Sequence, residues 1–433
     1  MKYPEFLDPL ETASREFLND LQDNAIGAMC RHAQDYAPLI RQKCAEAGVD
    51  ARDVTSVKAF REIWPFIDKD DIRIFRDTHN DVGGGTSVTI PGLTVSMGTT
   101  SGTTGDPTPI PNSRLGAPEI GYCRDLWGIG MRPGDYHVHM MFTYRGGHRR
   151  RLYNELGVSD IYLSMHPAEL PRLVEASLRF RPTVMNNFAS PFLHAMEQYI
   201  EKTGIDPVDV FSSYKGAIFG GEPLSDRMKA VVKSWGLELY ETTSLGDVAS
   251  TTDCRMHNGF HAYEDLAYIE AIDPITTDPV ADGEIGELVV TTLVDRLCPL
   301  IRYRTGDLVV IDRAPCGCGR VHSRFKILGR ATDQILVEGR SILPREIMGI
   351  VENHSETRHG LFQIIRRDRE MPELSIRIGY DPERLTGRAD ALKARLHDDI
   401  AGQIGVRTVI ELVEEAELLK LGPPHKIPRV TKK

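Results

Sequence analysis

Two patterns of hydrophobic positions divide the chain. In residues 14–47 the apolar side chains recur at helical spacing up to Gly48, which predicts helices ahead of the rest of the fold. From Asp135 onward, short apolar runs alternate with amphipathic stretches. This alternation predicts a largely parallel sheet covered by helices on both faces. The predicted strands are residues 135–144, 181–188, 214–221 and 237–243. Ser225 is the predicted N-cap of the helix that follows the third strand.

The pattern changes again after residue 266. Residues 267–312 hold short apolar runs separated by Gly and Asp, which predicts a small antiparallel sheet or barrel. Beyond them, the apolar spacing predicts a helix, a hairpin, a second helix and a strand, in that order. We therefore predict an α/β fold with an N-terminal domain over residues 1–328, mainly parallel sheets plus a small β subdomain, and a small α+β domain over residues 329–433.

Composition narrows the class of protein. The 433 residues carry a formal net charge of −10, which argues against nucleic acid or an acidic membrane surface as the main partner. The first residues lack the apolar core of a secretory signal, and no run of 18 apolar residues occurs. The seven cysteines are odd in number and scattered, which disfavours a disulfide framework. A soluble, cytoplasmic, multidomain enzyme is the expectation.

One loop has the chemistry of an anion site. Residues 98–108 read GTTSGTTGDPT, with three glycines and six hydroxyl side chains. Backbone N–H groups and hydroxyls in such a loop can wrap a phosphate. The loop is not a Walker A motif, because no Gly-Lys-Ser/Thr follows. The alternative is a Ser/Thr-rich surface loop.

This loop begins a series of motifs that resemble those of adenylate-forming acyl-coenzyme A synthetases, in particular the phenylacetate–coenzyme A ligase-like branch. The resemblance runs from residue 98 to residue 433 in the family's order. The matching segments are TSGTTGDP, Gly220–Pro223, YETTS from Tyr240, RYRTGD from Arg302, the Gly329-Arg330 hinge region, Gly339 and Pro344, and the closing P-R-x-x-x-K from Pro428.

The resemblance implies a nucleotide site, with Mg²⁺ bridging phosphate oxygens. The Asp307 carboxylate would hold the ribose hydroxyls, whereas the alternative is a turn aspartate after glycine. The implied ATP- and AMP-binding residues are Thr100, Ser101, Gly102, Thr103, Thr104, Gly105, Gly221, Glu222, Pro223, Tyr240, Thr242, Thr243, Asp307 and Arg330.

The resemblance also implies a mobile C-terminal lid. Lys433 would supply the cation between the acid and the nucleotide, with Lys432 as the alternative position and a charged tail as the alternative reading. The lid would rotate about residues 330–333, where Thr332 takes the place of the family's hinge acid and Asp333 lies beside it. Gly339 would line the channel for the pantetheine arm of coenzyme A.

Two departures from the family pattern stand out. Ser244 occupies the position of the family's Mg²⁺-binding glutamate, so Glu241 or Asp247 would take over, metal binding would be weaker, or the site would be degenerate. The segment corresponding to the acid pocket reads FTYRGGHRRR. Its predicted pocket residues are Phe142, Tyr144, Gly146, Gly147 and His148, and the arginines at 149–151 would meet a polar acid or the phosphates of coenzyme A, or form a solvated basic turn.

Soft ligands recur in two other loops. Cys316 and Cys318 form a tight pair, and Cys254 and His261 enclose an upstream loop. Three sulfurs and an imidazole make a tetrahedral set that suits structural zinc. His257 and His322 are alternative fourth ligands, and the simpler interpretation is three free thiols near a histidine.

The motifs together predict an AMP-forming acid–coenzyme A ligase for an aromatic or arylacetic acid. The proposed catalytic residues are Lys433, Thr243 and Glu241, and the cofactors are ATP, Mg²⁺, coenzyme A and zinc. The alternatives are transfer of the acyl group to another acceptor, such as a carrier-protein thiol or a cofactor, and a nucleotide-binding protein without turnover. The branch resemblance implies a homodimer.

Overall fold

The computed structural model describes most of the chain. The described residues are 3–91, 95–99, 108–113, 117–141, 156–220, 224–246, 248–368, 370–421 and 427–432. They belong to two compact units. The first comprises Met1–His137, Thr143–Asp160 and Tyr240–Leu328, and the second comprises Val138–Phe142, Ile161–Leu239 and Gly329–Lys433. The predicted division after residue 328 remains a prediction.

The helices are distributed along the whole chain. They are α1 Arg15–Tyr36, α2 Pro38–Ala47, α3 Val57–Ile63, α4 Lys69–His79, α5 Ala117–Ile129, α6 Leu170–Phe180, α7 Ser190–Thr203, α8 Pro207–Phe211, α9 Asp226–Ser234, α10 Pro344–Glu352, α11 Ala389–Ile404 and α12 Glu415–Leu418. Short 3₁₀ turns occur at Pro9–Thr12, Ala51–Asp53, Pro167–Glu169, Ala331–Asp333, Ser355–Thr357 and Pro382–Arg384.

The strands are short, and most lie between residues 136 and 414. They are β1 Val95–Thr99, β2 Pro109–Ser113, β3 Tyr136–Met141, β4 Ser159–Ser164, β5 Val184–Phe188, β6 Gly216–Gly220, β7 Leu239–Thr243, β8 Thr251–Thr252, β9 Phe260–His261, β10 Ala267–Ile272, β11 Ile285–Thr292, β12 Tyr303–Asp312, β13 Arg324–Arg330, β14 Ile335–Val337, β15 Arg340–Ile342, β16 Phe362–Ile365, β17 Glu370–Met371, β18 Leu374–Tyr380, β19 Thr408–Glu414 and β20 Val430–Thr431.

The N-terminal helical segment is confirmed, but it consists of two helices. The Ser14 hydroxyl accepts from the backbone N–H of Phe17 at 3.1 Å and caps α1. Pro38 starts α2, because it lacks the N–H that would continue α1. Gly48 ends α2 in the left-handed conformation, with φ +67°.

In the first unit an antiparallel sheet provides the main scaffold. β11 pairs antiparallel with both β10 and β12, as the Gly and Asp turns predict. β9 joins through β13, where His261 lies opposite Arg324. Buried residues of this sheet, such as Ile269, Val290 and Phe325, form one hydrophobic core with the N-terminal helices.

In the second unit the parallel pattern is found. β5 and β6 pair in parallel, with Val184 opposite Gly216, and the local strand order is β4-β3-β5-β6. Leu173, Phe192 and Met228 from the intervening helices share a core with these strands. Ser225 caps α9 as predicted, because its hydroxyl accepts from the Met228 N–H at 3.2 Å.

The C-terminal segment of the second unit has the predicted helix–hairpin–helix–strand order. β16 and β18 are antiparallel, and β19 is parallel to β18 after the α11 crossover. Ile376, Leu396 and Val351 lie in its core. Within the described parts of both units, no helix is long and apolar enough to cross a membrane.

Candidate active site

The RYRTGD segment begins at Arg302, and its other five residues form the first half of β12. The Thr305 hydroxyl donates to the Leu288 carbonyl at 2.9 Å and accepts from the backbone N–H of Asp307 at 3.1 Å. These contacts fix the turn at Gly306, which has φ +78°, and leave Asp307 half-buried. Arg302 instead points inward, where it donates to the Trp64 carbonyl at 2.6 Å. The arginine of the motif therefore supports the fold, while the aspartate is accessible to a ligand.

The YETTS segment continues from β7. Tyr240 is buried, Thr243 pairs with Thr251, and the Thr242 hydroxyl donates to the Thr251 carbonyl at 3.0 Å. Glu241 is half-buried, whereas Ser244 is exposed at the end of the strand. The side chain that replaces the family's metal-binding glutamate is therefore open to solvent.

A glycine brings these two segments together. Gly246 has φ +63°, and a Cβ built on it would lie 2.5 Å from Cγ2 of Thr305. Only glycine permits both this backbone conformation and this approach. The structure thus places the turn after Tyr240–Thr243 directly against the strand that carries Asp307.

The proposed hinge residues lie in the second unit. Arg330 is exposed at the end of β13, and Thr332 and Asp333 belong to the 3₁₀ turn Ala331–Asp333. Gly339 follows Glu338 in a two-residue turn between β14 and β15, where both residues have positive φ. The Gly339 N–H donates to Oε1 of Glu370 at 3.1 Å, so this glycine is exposed and held by its backbone.

Several proposed site residues lie outside the described part of the chain. They are Lys433, Thr100–Gly105, Gly221–Pro223, the pocket segment 142–151 and Asp247.

The predicted metal ligands are brought together in the first unit. Donor atoms of Cys254, His261, Cys316 and Cys318 all lie within 4.8 Å of one another, and all four residues are buried. The Sγ atoms of Cys254 and Cys316 are 3.7 Å apart, and Sγ of Cys318 is 3.3 Å from Nε2 of His261. Four thiolate ligands about 2.3 Å from a tetrahedral zinc would be separated by roughly 3.8 Å, so the sulfur spacing fits the ion.

The two alternative histidine ligands are engaged elsewhere. Nδ1 of His257 is 2.6 Å from Oδ2 of Asp253. Nδ1 of His322 accepts from the backbone N–H of Glu264 at 3.1 Å, and burial holds the pKa of His322 well below its usual value. Among the three candidates, His261 is the one that faces the sulfurs.

The pKa values of Cys254 and Cys318 are shifted in opposite directions, because one thiol donates a hydrogen bond and the other sulfur accepts it. The hydrogen bond from Cys254 lowers the pKa of Cys318 to about 3. The hydrogen bond with Cys318, together with burial, raises the pKa of Cys254. A thiolate already stabilised at Cys318 is the form that ligates a metal.

The sequence did not predict a second group of buried ionisable side chains. His194, His359 and Glu415 lie within ligand distance of one another in the second unit. They come from segments far apart along the chain, and no short spacing connects them.

Comparisons with known proteins agree with the motifs. The chain is 29% identical over 361 residues to a phenylacetate–coenzyme A ligase of Pseudomonas putida, covering 79% of this chain and 77% of that protein. It is 27% identical to a phenylacetate–coenzyme A ligase of Aromatoleum evansii, over 99% of this chain and 95% of that protein. The resemblance to phenylacetate–coenzyme A ligases is confirmed. No family model matches the chain.

The fold is confirmed by solved structures of adenylate-forming ligases. A 2-hydroxyisobutyryl-coenzyme A ligase in its postadenylation state has a TM-score of 0.83 and 24% identity, covering 100% of this chain and 95% of that one. The prediction of an α/β fold is therefore confirmed.

Proposed function

We propose that the protein is an ATP-dependent, AMP-forming acid–coenzyme A ligase. The observation that carries the proposal is the similarity to a phenylacetate–coenzyme A ligase over 99% of the chain, with the nucleotide motifs in the same order. In such a reaction the carboxylate attacks the α-phosphorus of ATP and pyrophosphate leaves. A thiol then attacks the acyl-adenylate carbonyl, and AMP leaves.

The described residues support the nucleotide half of this site. Asp307 would accept hydrogen bonds from both ribose hydroxyls, because a carboxylate has acceptor sites for two donors. Tyr240 would border the adenine, and Thr242 and Thr243 would lie near the α-phosphate. The support is the close approach of Gly246 to Thr305, which holds these two segments side by side.

Charge neutralisation is the main task of the first step, because two anions react. Glu241 would hold Mg²⁺ in place of Ser244, and the ion would supply positive charge to the phosphates. The loop of residues 98–106 would hold the departing pyrophosphate, and Gly221, Glu222 and Pro223 would border the adenine. Lys433 would lie between the acid and the nucleotide.

The second step requires the C-terminal segment to change position. We place its hinge at Arg330, Thr332 and Asp333, with Gly339 beside the pantetheine arm. Phe142, Tyr144, Gly146, Gly147 and His148 are the proposed pocket for an aromatic or arylacetic acid.

We also propose structural zinc at Cys254, His261, Cys316 and Cys318. The donor set is closed, with three sulfurs and one nitrogen, and leaves no position for a reacting water. Its role would be to join the loop after β8 to the loop between β12 and β13. A homodimer and a cytoplasmic location remain predictions.

The decisive experiment measures pyrophosphate release from ATP and Mg²⁺ with aryl, arylacetic, aliphatic and polar acids, each with and without coenzyme A. We expect release with aromatic acids, together with acyl-coenzyme A when the thiol is present. Pyrophosphate release that does not depend on coenzyme A would indicate another acceptor for the acyl group. ATP binding without release for any acid would contradict a catalytic role.

A further inference from the structure

Two histidines and a glutamate meet in the interior of the second unit. His194 lies in α7, His359 precedes β16, and Glu415 begins α12. The imidazole centroids are 4.0 Å apart and nearly perpendicular, at 83°. Nδ1 of His359 is 2.9 Å from both carboxylate oxygens of Glu415. One ligand atom from each of the three residues lies within 4.8 Å of the others.

Polar atoms of this cluster are buried without hydrogen-bond partners. His194 is 8% exposed and His359 is 5% exposed, yet Nδ1 of His194 and Nε2 of His359 make no hydrogen bond. Oε2 of Glu197, one turn along α7 from His194, is also buried without one and lies 3.7 Å from Nε2 of His359. Buried polar atoms are rarely left unpaired, so these three atoms indicate a missing partner.

The chemistry of the unpaired atoms selects the partner. A neutral imidazole keeps one ring nitrogen with a lone pair, and both rings are buried. A proton donor could satisfy one such atom, but a cation satisfies two nitrogens and a carboxylate together. Nitrogen and oxygen ligands of this kind suit Zn²⁺, Co²⁺ or Ni²⁺.

The neighbouring arginines leave room for a cation. Arg227 pairs with Oε1 of Glu197 at 2.7 Å, and Arg358 pairs with Glu201 at 3.0 Å. Each guanidinium is thus paired with a carboxylate other than Glu415, although Glu201 also pairs with Arg384. Glu415 lacks an arginine partner among the described residues. An ion bound between its carboxylate and Nδ1 of His359 would replace the proton that they share, and Nε2 of that ring would then carry the proton towards Oε2 of Glu197.

We propose that His194, His359 and Glu415 form a second metal site, which takes a divalent transition-metal ion. The ion would tie the C-terminal segment, through His359 and Glu415, to α7, through His194. This consequence rests on the proposed function, in which the C-terminal segment moves between the two half-reactions. A metal that binds only the arrangement seen here would hold the C-terminal segment in it and slow the half-reaction that needs the other arrangement.

The test counts bound metal before any activity is measured. The purified protein, with its cysteine site as isolated, is dialysed against Zn²⁺ and separately titrated with Co²⁺. We expect one equivalent of metal that the variant His194→Asn and the isosteric variant Glu415→Gln lose. The matched control is His397→Asn, because His397 is a half-buried histidine of the same unit that bonds Thr408 and not the cluster. The cobalt spectrum of this equivalent should lack a sulfur charge-transfer band.

Equal metal content in wild type, His194→Asn and Glu415→Gln would overturn the proposal. Thermal melting without added metal shows whether each variant folds. If neither variant folds, the cobalt spectrum of the wild type is the test, and a sulfur charge-transfer band from this equivalent would overturn the proposal. With metal at ten times its Kd, we expect one of the two half-reactions, measured separately, to fall about tenfold in wild type and to be unchanged in His194→Asn. Metal content does not depend on catalysis, so a protein that binds the ion but releases no pyrophosphate would contradict the ligase function and leave the metal site standing.

Discussion

Nε2 of His261 faces Sγ of Cys318 at 3.3 Å, while Nδ1 of the same ring lies 3.0 Å from the carbonyl oxygen of His322. Because a carbonyl oxygen only accepts, Nδ1 carries the proton and Nε2 presents its lone pair to the cysteine cluster. This is the tautomer that binds a metal, with the backbone as its outer partner. The fold therefore already holds the His261 ring in the orientation that the fourth metal ligand requires.

Replacing Cys318 should remove the zinc. In Cys318→Ser we expect the zinc content to fall from one equivalent per chain to almost none, and stability to fall by roughly 4 kcal/mol, as for loss of a structural metal. Metal analysis and thermal melting measure the two effects. Cys298→Ser is the control, because Cys298 is also buried but bonds Thr86, outside the cluster. Equal zinc in both variants would contradict the site.

Asp307 should control the affinity for ATP. Asp307→Ala would remove a charged acceptor to which both ribose hydroxyls donate, and we expect the KM for ATP to rise about 10- to 100-fold. Steady-state pyrophosphate release measures it.

The same strand supplies the control for Asp307. Asp312 lies at the far end of β12, where Oδ2 bonds Arg324 at 2.6 Å. Asp312→Asn should leave the KM for ATP unchanged. A similar rise in both variants would mean that Asp307 acts through the strand rather than on the nucleotide.

Ser244 offers a gain-of-function test. It is exposed at the end of β7, so a larger acidic side chain fits without repacking. In Ser244→Glu we expect half-maximal pyrophosphate release at a lower Mg²⁺ concentration, because a carboxylate binds this ion better than a hydroxyl. Glu241→Gln should have the opposite effect. An unchanged Mg²⁺ dependence in both variants would remove these positions from the metal site.

The amino-acid pattern predicts the elements well because each depends on neighbours in the chain. The change from helical spacing to short apolar runs predicts the helices, the parallel strands and the antiparallel sheet. Cys316 and Cys318 could be recognised because they share one turn, and the choice of His261 over His257 and His322 then required the fold.

Contacts between distant segments could not be predicted in this way. Nothing in the spacing of His194, His359 and Glu415 indicates that α7 and the C-terminal segment place them together. Similarly, the sequence around Gly246 indicates only an ordinary turn residue. Its close approach to Thr305 exists only once β7 and β12 have folded.

Gly246→Ala should therefore be more harmful than an ordinary glycine replacement. The new Cβ would meet both the left-handed backbone and the methyl group of Thr305 at 2.5 Å. The control is Gly283→Ala, since Gly283 also has positive φ, +86°, but open space around it. We expect Gly246→Ala to cost about 1–3 kcal/mol more than the control and to raise the KM for ATP. Equal melting temperatures would contradict the close approach.

Asp125 should make stability depend on pH. It lies in α5, fully buried, and accepts from the Tyr263 hydroxyl at 2.7 Å. Burial raises its pKa to about 7, although Tyr263 and Arg320 oppose this shift. In the unfolded chain an aspartate titrates near pH 3.9, so between about pH 4 and pH 7 the folded state binds more protons than the unfolded state. Stability contributed by this group is therefore present at low pH and is lost as the pH rises through 7.

Asp125→Asn isolates this contribution, because the amide keeps the shape and never ionises. We expect the variant to gain stability relative to wild type as the pH rises from 5 to 8, by at most about 1.4 kcal/mol per pH unit within the window. Thermal melting at several pH values, taken as the difference between the two proteins, cancels the other titrating groups. A difference that stays constant from pH 5 to 8 would show that Asp125 is ionised throughout, held so by Arg320. In that case Asp125→Asn would be destabilised equally at every pH, since the buried guanidinium would lose a counter-charge.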